Sequence, residues 1–150
     1  MPKGVMWDQG DMWTLLVGNG SAIHAPAPPT LAEWVEQVRA APVRQRVLIG
    51  PPLMHGTGFL SALSALARGG AVITLTDRSF QALEALDVAR RWQPDTGVIV
   101  GDAFARPLLK ALDETGDSAA IASIRGIVSS GTMWSPEVKA GLLRHNPNML

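Results

Sequence analysis

Cysteine is absent from this 150-residue chain, and its absence excludes several kinds of site. Without cysteine there can be no disulfide scaffold, no thiolate nucleophile and no cysteine-built zinc site. The 3 histidines do not stand at the spacing of metal ligands, so the sequence predicts no metal site of its own.

Net charge is lacking as well. The chain has 13 basic and 13 acidic side chains, a formal charge of +0 and an isoelectric point near 6.8. Phosphate backbones bind clustered excess lysine and arginine, so nucleic acid is not expected as the main partner. Hydrophobic residues make up 47% of the chain and charged residues only 17%, which indicates a globular domain with a real core.

Long apolar runs are missing too. No run approaches the roughly 18 residues of a transmembrane segment, and residues 1–17 do not combine a charged start with an apolar stretch, so no secretory signal is visible. These absences favour a cytoplasmic protein. Both ends are apolar where domain ends are usually polar, and we therefore expect the chain to be a piece of a larger protein.

Short apolar runs and amphipathic helical patterns alternate from residue 46 onward. The runs are typical of buried parallel strands and occupy 47–49, 71–75, 97–100 and 124–128. A helical pattern follows each of them. The sequence therefore predicts an α/β fold, namely part of a mainly parallel sheet with helices on both faces, incomplete at both ends.

Polar residues mark the expected helix starts. Thr30 and Glu33 fit a capping box, and Ser79, Asp102 and Ser135 are each expected to cap a helix. Apolar side chains at helical spacing are expected to face the core. Among them are Leu31, Trp34, Val35, Val38, Phe59, Leu60, Leu63, Leu66, Leu83, Leu86, Leu142 and Leu143.

Ligands of parallel sheets bind outside the carboxyl ends of the strands, so the residues just after each run are the informative ones. His55 is the one histidine at such a position, and its imidazole can donate to a carboxylate or phosphate oxygen. The alternative is a histidine that only closes its loop. The small residues 129–132 leave room for a flat ring, although an ordinary strand-to-helix turn explains them as well.

A dinucleotide-binding module is a rival interpretation. Gly56 and Gly58 open a helix, and Asp77 lies 19 residues after Gly58, where a ribose-binding acid would be expected. Ser61 replaces the third glycine of that pattern, and residues 51–55 make the turn too long. The interpretation therefore stays an alternative.

Three strings in order resemble adenylate-forming enzymes. Residues 1–5 are similar to the P-K-G-V end of their phosphate loop, residues 52–58 to P-L-[FM]-H-x-x-G, and residues 129–137 to G-G-A-P-L-S-P-E. Residues 77–80 and 100–109 are similar to actinobacterial long-chain and sterol-side-chain acyl-CoA synthetases. The chain thus resembles an internal fragment of the large N-terminal, AMP-binding domain of an AMP-forming acyl-CoA synthetase, with residues 1–150 a partial domain and the C-terminal domain absent.

This resemblance implies an activity and its substrates. The family activates a carboxylic acid with ATP and Mg²⁺ to acyl-AMP and then transfers the acyl group to CoA. The implied nucleotide-binding residues are Lys3 at the phosphates and Ser130, Gly131 and Thr132 at the adenine. The implied acyl-pocket residues are His55, Gly58, Gly101 and Ser129, with His55 as the catalytic candidate at the carboxylate.

Departures from the family pattern limit what this chain is expected to do. Ser129 and Ser130 replace the usual glycine pair, and Thr132 replaces the usual alanine. The Y-G-x-T-E segment, the T-G-D segment and the C-terminal catalytic lysine have no counterpart in the sequence. We therefore expect the isolated chain to be inactive, with a stand-alone dinucleotide-binding module or a non-enzymatic remnant as alternatives.

Overall fold

A computed structural model describes Gly4, residues 6–18 and residues 30–150. Four parallel strands form one sheet in the order β2-β1-β3-β4. The strands are β1 (Arg46–Ile49), β2 (Ala71–Thr74), β3 (Thr96–Ile99) and β4 (Gly126–Ser129). The helices are α1 (Gln9–Gly18), α2 (Leu31–Ala40), α3 (Gly56–Ala67), α4 (Ala82–Trp92), α5 (Asp102–Thr115) and α6 (Pro136–His145), with a 3₁₀ turn at Ser118–Ile121. The predicted α/β fold is confirmed.

Helices cover both faces of the sheet, as predicted. On one face α3 packs its alanines, Ala62 and Ala65, against Val47, Ile49 and Val98. On the other face α4, α5, α6 and the 3₁₀ turn form a larger cluster around Ile99. Its fully buried members include Leu112, Ile121 and Leu142. Because each buried aliphatic side chain contributes about 1.5–3 kcal/mol, this second cluster supplies most of the core.

The strand order contains a reversal between β1 and β3. From β1 the chain runs through α3 to β2 on one side, whereas from β3 it runs through α5 to β4 on the other side. The connections that leave β1 and β3 therefore run toward opposite sides of the sheet, and the point of reversal lies at the carboxyl ends of these two strands. Ligands of open α/β sheets bind at such a reversal.

The large apolar side chains of α3 do not face the core as predicted. Phe59 is 43% exposed and Leu66 is 55% exposed, while Leu60 and Leu63 are half-buried. The buried positions of α3 are the small ones, Gly58, Ala62 and Ala65. The face of the sheet beneath α3 carries valine and isoleucine side chains. The helix packs on them through its small residues, which allow a close approach.

The other predicted stripes are also only partly correct. Leu31 of α2, Leu83 of α4 and Leu143 of α6 are exposed, whereas Leu86 and Leu142 are buried as predicted. In α2 nothing is fully buried, and Trp34 and Val38 are half-buried on the side that contacts α3. The apolar pattern of one helix does not show how much of its surface the neighbouring elements cover.

The predicted helix starts have mixed outcomes. The capping box is confirmed, since Thr30 Oγ1 accepts from the Glu33 N–H and Glu33 Oε2 accepts from the Thr30 N–H. The caps at Ser79 and Asp102 are wrong. The residue before α4 is Gln81, and the residue before α5 is Gly101, which leaves Asp102 as the first helical residue. Ser135 does precede α6, with its hydroxyl directed elsewhere.

The longest helix in the described part of the chain, α5, has 14 residues. Among the described helices, none has the length and apolar character needed to cross a membrane.

Glycine at position 97 leaves room that alanine should fill. A small apolar cavity of about 30 Å³ adjoins Gly97, and a Cβ there would lie 3.4 Å from Ile127 Cγ1 and 4.0 Å from Ile124 Cδ1. We expect Gly97→Ala to raise the free energy of unfolding by about 0.4–1 kcal/mol, because alanine restricts the unfolded chain and fits without strain. Urea denaturation measures the change.

Gly50→Ala is the matched control. A Cβ at Gly50 would lie 2.9 Å from the Val98 carbonyl oxygen and close to the rings of Phe80 and Phe104, which contact each other at a tilt. The backbone cannot yield as a side chain can, so this variant should lose about 1–3 kcal/mol. Equal effects of the two substitutions would contradict the packing described for β1 and β3.

Candidate functional site

Three loops meet at the reversal of the strand order. The β1 loop (residues 50–55) leaves β1, the β3 turn (residues 100–101) leaves β3, and the β4 loop (residues 130–135) leaves β4. Because the strands are parallel, all three loops lie at the same edge of the sheet. The sequence-predicted site residues other than Lys3 lie in these loops or directly beside them.

His55 and Ser130 are brought together through Thr57. The hydroxyl groups of Thr57 and Ser130 are hydrogen-bonded at 2.6 Å, which joins the start of α3 to the β4 loop. His55 precedes α3, and its Nδ1 accepts from the Thr57 N–H at 3.2 Å. A Cβ built on Gly131 would lie 3.7 Å from His55 Cε1. His55, Ser130 and Gly131 therefore form one exposed cluster.

The hydrogen bond at Nδ1 determines how His55 can act. A ring nitrogen that accepts carries no proton, so in the neutral imidazole the proton is on Nε2. The free edge of the ring is thus a donor. It can donate to an oxygen of a carboxylate or phosphate bound over the loops.

The β4 loop crosses directly over the β3 turn. Gly101 has φ +53° and ψ −152°, and a Cβ there would overlap Thr132 Oγ1 and the Met133 carbonyl oxygen. Backbone hydrogen bonds complete the crossing. The Gly101 N–H donates to Ser129 Oγ at 2.9 Å, and the Asp102 N–H donates to the Met133 carbonyl at 3.1 Å. Glycine at 101 is therefore required by backbone conformation and by contact.

Asp102 ties the far end of the β4 loop to α5. Its Oδ1 accepts from the Ser135 N–H at 2.9 Å and from the Ser135 hydroxyl at 3.1 Å, and its Oδ2 accepts from Arg106 Nε at 2.9 Å. The backbone hydrogen bond from Ser135 is the main cause that lowers the pKa of the Asp102 carboxyl, with smaller contributions from the Ser135 hydroxyl and Arg106. Asp102 is thus an ionised structural anchor.

Two of the predicted acyl-pocket residues have close packing partners. Gly58 is buried, and a Cβ there would lie 2.7 Å from the Pro52 carbonyl oxygen and 2.9 Å from that of Pro51. The Ser129 hydroxyl is used by the Gly101 N–H. These contacts account for glycine at 58 and serine at 129 through packing of the loops themselves.

Lys3, the predicted phosphate ligand, lies outside the described residues, and its role stays a prediction. Within the described ranges, no group of three histidine, aspartate or glutamate side chains lies close enough together to hold a metal ion.

Large apolar side chains are exposed in the loops that carry the polar cluster. Met54 is 95% exposed, Met133 is 82% exposed and Leu53 is 48% exposed. Methionine is flexible and adapts to apolar ligands of varied shape. The site therefore combines hydrogen-bond donors with an adaptable apolar border, which suits a ligand that has a polar head and an apolar chain.

Sequence reasoning missed the anchor formed by Asp102, Arg106 and Ser135. Asp102 was expected to cap its own helix, and Ser135 was expected to cap α6. The signal available was position alone, since both residues stand at the carboxyl edge of the predicted sheet. Their contact depends on the crossing of the β4 loop, which no local pattern encodes.

No protein-family model matches the chain. Curated relatives do. The medium-chain acyl-CoA ligase Mig of Mycobacterium avium is 31% identical over 99% of this chain and 26% of that protein. The 3-oxocholest-4-en-26-oate–CoA ligase of Rhodococcus rhodochrous is 30% identical over 92% of this chain and 25% of that protein. The resemblance to acyl-CoA ligases is confirmed. The chain spans about a quarter of the length of these ligases.

Solved structures show the same fold. An O-succinylbenzoate coenzyme A synthetase from Bacillus subtilis, solved in complex with AMP, superposes with a TM-score of 0.64 over 98% of this chain and 25% of that chain, at 19% identity. The luciferase-like enzyme of the mealworm Zophobas morio superposes with a TM-score of 0.58 over 78% of this chain and 26% of that chain, at 13% identity. The sheet and its helices are thus part of the fold of these enzymes.

The stability of the folded chain should depend strongly on glycine at position 101. We expect Gly101→Ala to lower the free energy of unfolding by about 1–3 kcal/mol for the disfavoured backbone conformation. The overlap with the β4 loop should add about 1–3 kcal/mol. Gly116→Ala is the control, because Gly116 also has a positive φ, +67°, while a Cβ there would meet nothing within 4 Å. Denaturation that shows equal losses would contradict the close crossing.

Acid should remove the contribution of Asp102 to stability. Its folded-state pKa is lowered, so its stabilising effect is present above the unfolded-state pKa of about 3.9 and is lost as the pH falls through the folded value. We expect the stability difference between the original chain and Asp102→Asn to be constant near neutral pH and to narrow below about pH 4. Denaturation at several pH values tests this, and a difference that does not narrow at all between about pH 5 and pH 2 would contradict it.

Proposed function

We propose that this chain supplies the adenine-facing and acyl-facing loops of an AMP-forming acid–CoA ligase. The observation that carries the proposal is the meeting of His55, Ser130 and Gly131 at the reversal of the strand order. The similarity to medium-chain and sterol-derived acyl-CoA ligases along nearly the whole chain supports it. The substrates are a medium-chain, long-chain or sterol-derived carboxylic acid, ATP and CoA, and the reaction is cytoplasmic.

The reaction has two steps. A carboxylate oxygen attacks the α-phosphorus of ATP, the bond to the bridging oxygen breaks, and acyl-AMP and pyrophosphate form. The CoA sulfur then attacks the acyl carbon, and AMP leaves. The thiol proton is released to solvent in the second step. In both steps negative charge builds up on oxygens of the acyl group or the phosphates, so donors fixed near those oxygens lower the barrier.

In the proposal, His55 is the hydrogen-bond donor at the reacting end of the acid. Its Nε2–H is free because Nδ1 accepts from Thr57. In the proposal it donates to the carboxylate oxygen of the acid that becomes the carbonyl oxygen of acyl-AMP. Fixing the start of α3 through Thr57 and Ser130 holds the imidazole in place before substrate binds.

The β4 loop takes the adenine. Ser130, Gly131 and Thr132 are exposed, and Gly131 has a positive φ of +95°. Ser129 and Gly101 support this loop from below. The apolar chain of the acid then lies along Met54 and Met133, which are exposed in the β1 loop and the β4 loop.

The described residues of the site do not account for binding of the ATP phosphates and Mg²⁺. The described ranges contain no cluster of acidic side chains that could hold Mg²⁺. We propose that Lys3 binds the phosphates and that the metal ion enters bound to ATP.

The chain by itself should therefore bind nucleotide and fail to catalyse ATP–pyrophosphate exchange. Measurable exchange would contradict the proposal that this chain carries only part of the active site.

Nucleotide binding tests the proposal directly. We expect AMP to shift the amide NMR signals of residues 130–132, and dodecanoyl-AMP to shift them at lower concentration, because the acyl chain covers exposed methionines. His55→Asn keeps a side-chain acceptor for the Thr57 N–H while removing the imidazole donor. It should weaken dodecanoyl-AMP binding about ten-fold, the effect of losing one hydrogen bond to the acyl carbonyl oxygen, and leave AMP binding unchanged.

His145→Asn is the matched control, because His145 lies at the end of α6 and bonds to Asp113 and Ser118, away from the three loops. It should change neither affinity. Absence of AMP-dependent shifts in residues 130–132 would overturn the proposal. Binding of NAD⁺ that is weakened by Asp77→Ala would instead establish the dinucleotide alternative, and a folded chain that binds neither nucleotide would be a non-enzymatic remnant.

A further inference from the structure

The β4 loop is held at both ends, although its middle is exposed. At its start the Ser129 hydroxyl accepts from the Gly101 N–H. At its end Trp134 is half-buried against the core cluster, and Ser135 is bound by Asp102. Residues 130–133 between these points are exposed. The conformation of the exposed part therefore depends on how firmly the two ends are fixed.

The carboxylate of Asp102 holds the loop at Ser135. Asp102 Oδ1 accepts both the N–H and the hydroxyl of Ser135, and the Asp102 N–H donates back to the Met133 carbonyl at 3.1 Å. Three hydrogen bonds thus join Asp102 of α5 to two residues of the loop, Met133 and Ser135. Hydrogen bonds to an ionised carboxylate are stronger than those between neutral groups.

Arg106 completes this anchor. Its guanidinium contacts Asp102 Oδ2 at 2.8 and 2.9 Å, and it donates to the Ser135 hydroxyl at 3.2 Å. It holds the carboxylate in a rotamer that leaves Oδ1 for Ser135. The N-terminal end of α5 also favours a negative charge at Asp102, the first helical residue.

Capping of α6 does not explain the serine hydroxyl. Ser135 stands where a capping serine would accept from the helix, and it makes no such side-chain bond. Its hydroxyl donates to Asp102 instead. The serine thus serves the link between the β4 loop and α5, which determines the position of the loop over the β3 turn.

We propose that Asp102 is a positioning residue that sets the β4 loop in the conformation that receives the nucleotide. The inference rests on the proposed function for its ligand, and the placement of the loop itself can be measured without any ligand. Asp102 touches no reacting atom in this arrangement. It acts through Ser135 and Met133 on residues 130–132.

Amide hydrogen exchange of the unliganded chain is the primary experiment. In Asp102→Asn the Ser135 amide should exchange at least about five-fold faster, because a neutral acceptor replaces the carboxylate. The amides of Leu86 and Ala89 in α4 should be unaffected. Asp102→Glu keeps the charge and should restore part of the protection. AMP titration of the same samples should show about ten-fold weaker binding for Asp102→Asn.

Asp113→Asn is the control. It makes the same chemical change near the other end of α5, where Asp113 bonds to His145, and it should leave both the Ser135 amide and AMP binding unchanged.

The outcomes separate the two proposals. Unchanged exchange at Ser135 in Asp102→Asn overturns the inference, whatever AMP does. Uniformly faster exchange, in α4 as well as in the loop, also overturns it, because Asp102 would then be a general stabilising residue. Faster local exchange in a chain that never binds AMP supports the placement of the loop by Asp102 and overturns the proposed function alone.

Discussion

The crossing of the β4 loop over Gly101 is the contact on which the candidate site depends. The two backbones approach so closely that a single Cβ would displace the loop. This approach places Gly131 beside His55 and the Ser130 hydroxyl within 2.6 Å of that of Thr57. Without it, the loops leaving β1 and β4 would end at the same edge of the sheet with β3 between them, and no common cluster would form.

The order of the strands in the parallel sheet makes this crossing possible. Sheet order sets β4 beside β3, and β3 beside β1, so the three loops are neighbours at one edge. The faces of the sheet are occupied by α3 on one side and by α4 and α5 on the other. The open carboxyl edge is the place that remains for a ligand, as in other open α/β sheets. Small residues at Gly58, Ala62 and Ala65 bring α3 close enough for His55 and Thr57 to reach the β4 loop.

Local patterns predicted the elements well because each strand is a short apolar run bounded by glycine or proline. They also predicted the loops that carry the site, since the residues after each run follow directly from the strand ends. They failed where an outcome depends on a distant partner. Phe59 and Leu66 fit a helical stripe, yet α3 buries its alanines. Asp102 fits a helix cap, yet its carboxylate binds Ser135, 33 residues further along the chain. The spacing of apolar residues shows that a segment is helical, and it does not show which face of the helix packs against the sheet.

The polar contacts of the site are almost entirely internal, and this determines what is left for a ligand. Thr57 and Ser130 satisfy each other, Asp102 is shared by Ser135 and Arg106, and the Ser129 hydroxyl is taken by Gly101. His55 is held at Nδ1, so its Nε2–H faces outward as a donor already in position. In the proposed function, the oxygen that binds there would leave every other hydrogen bond of the site in place. Preorganisation of this kind is how a loop-built site lowers the cost of stabilising charge that develops during a reaction.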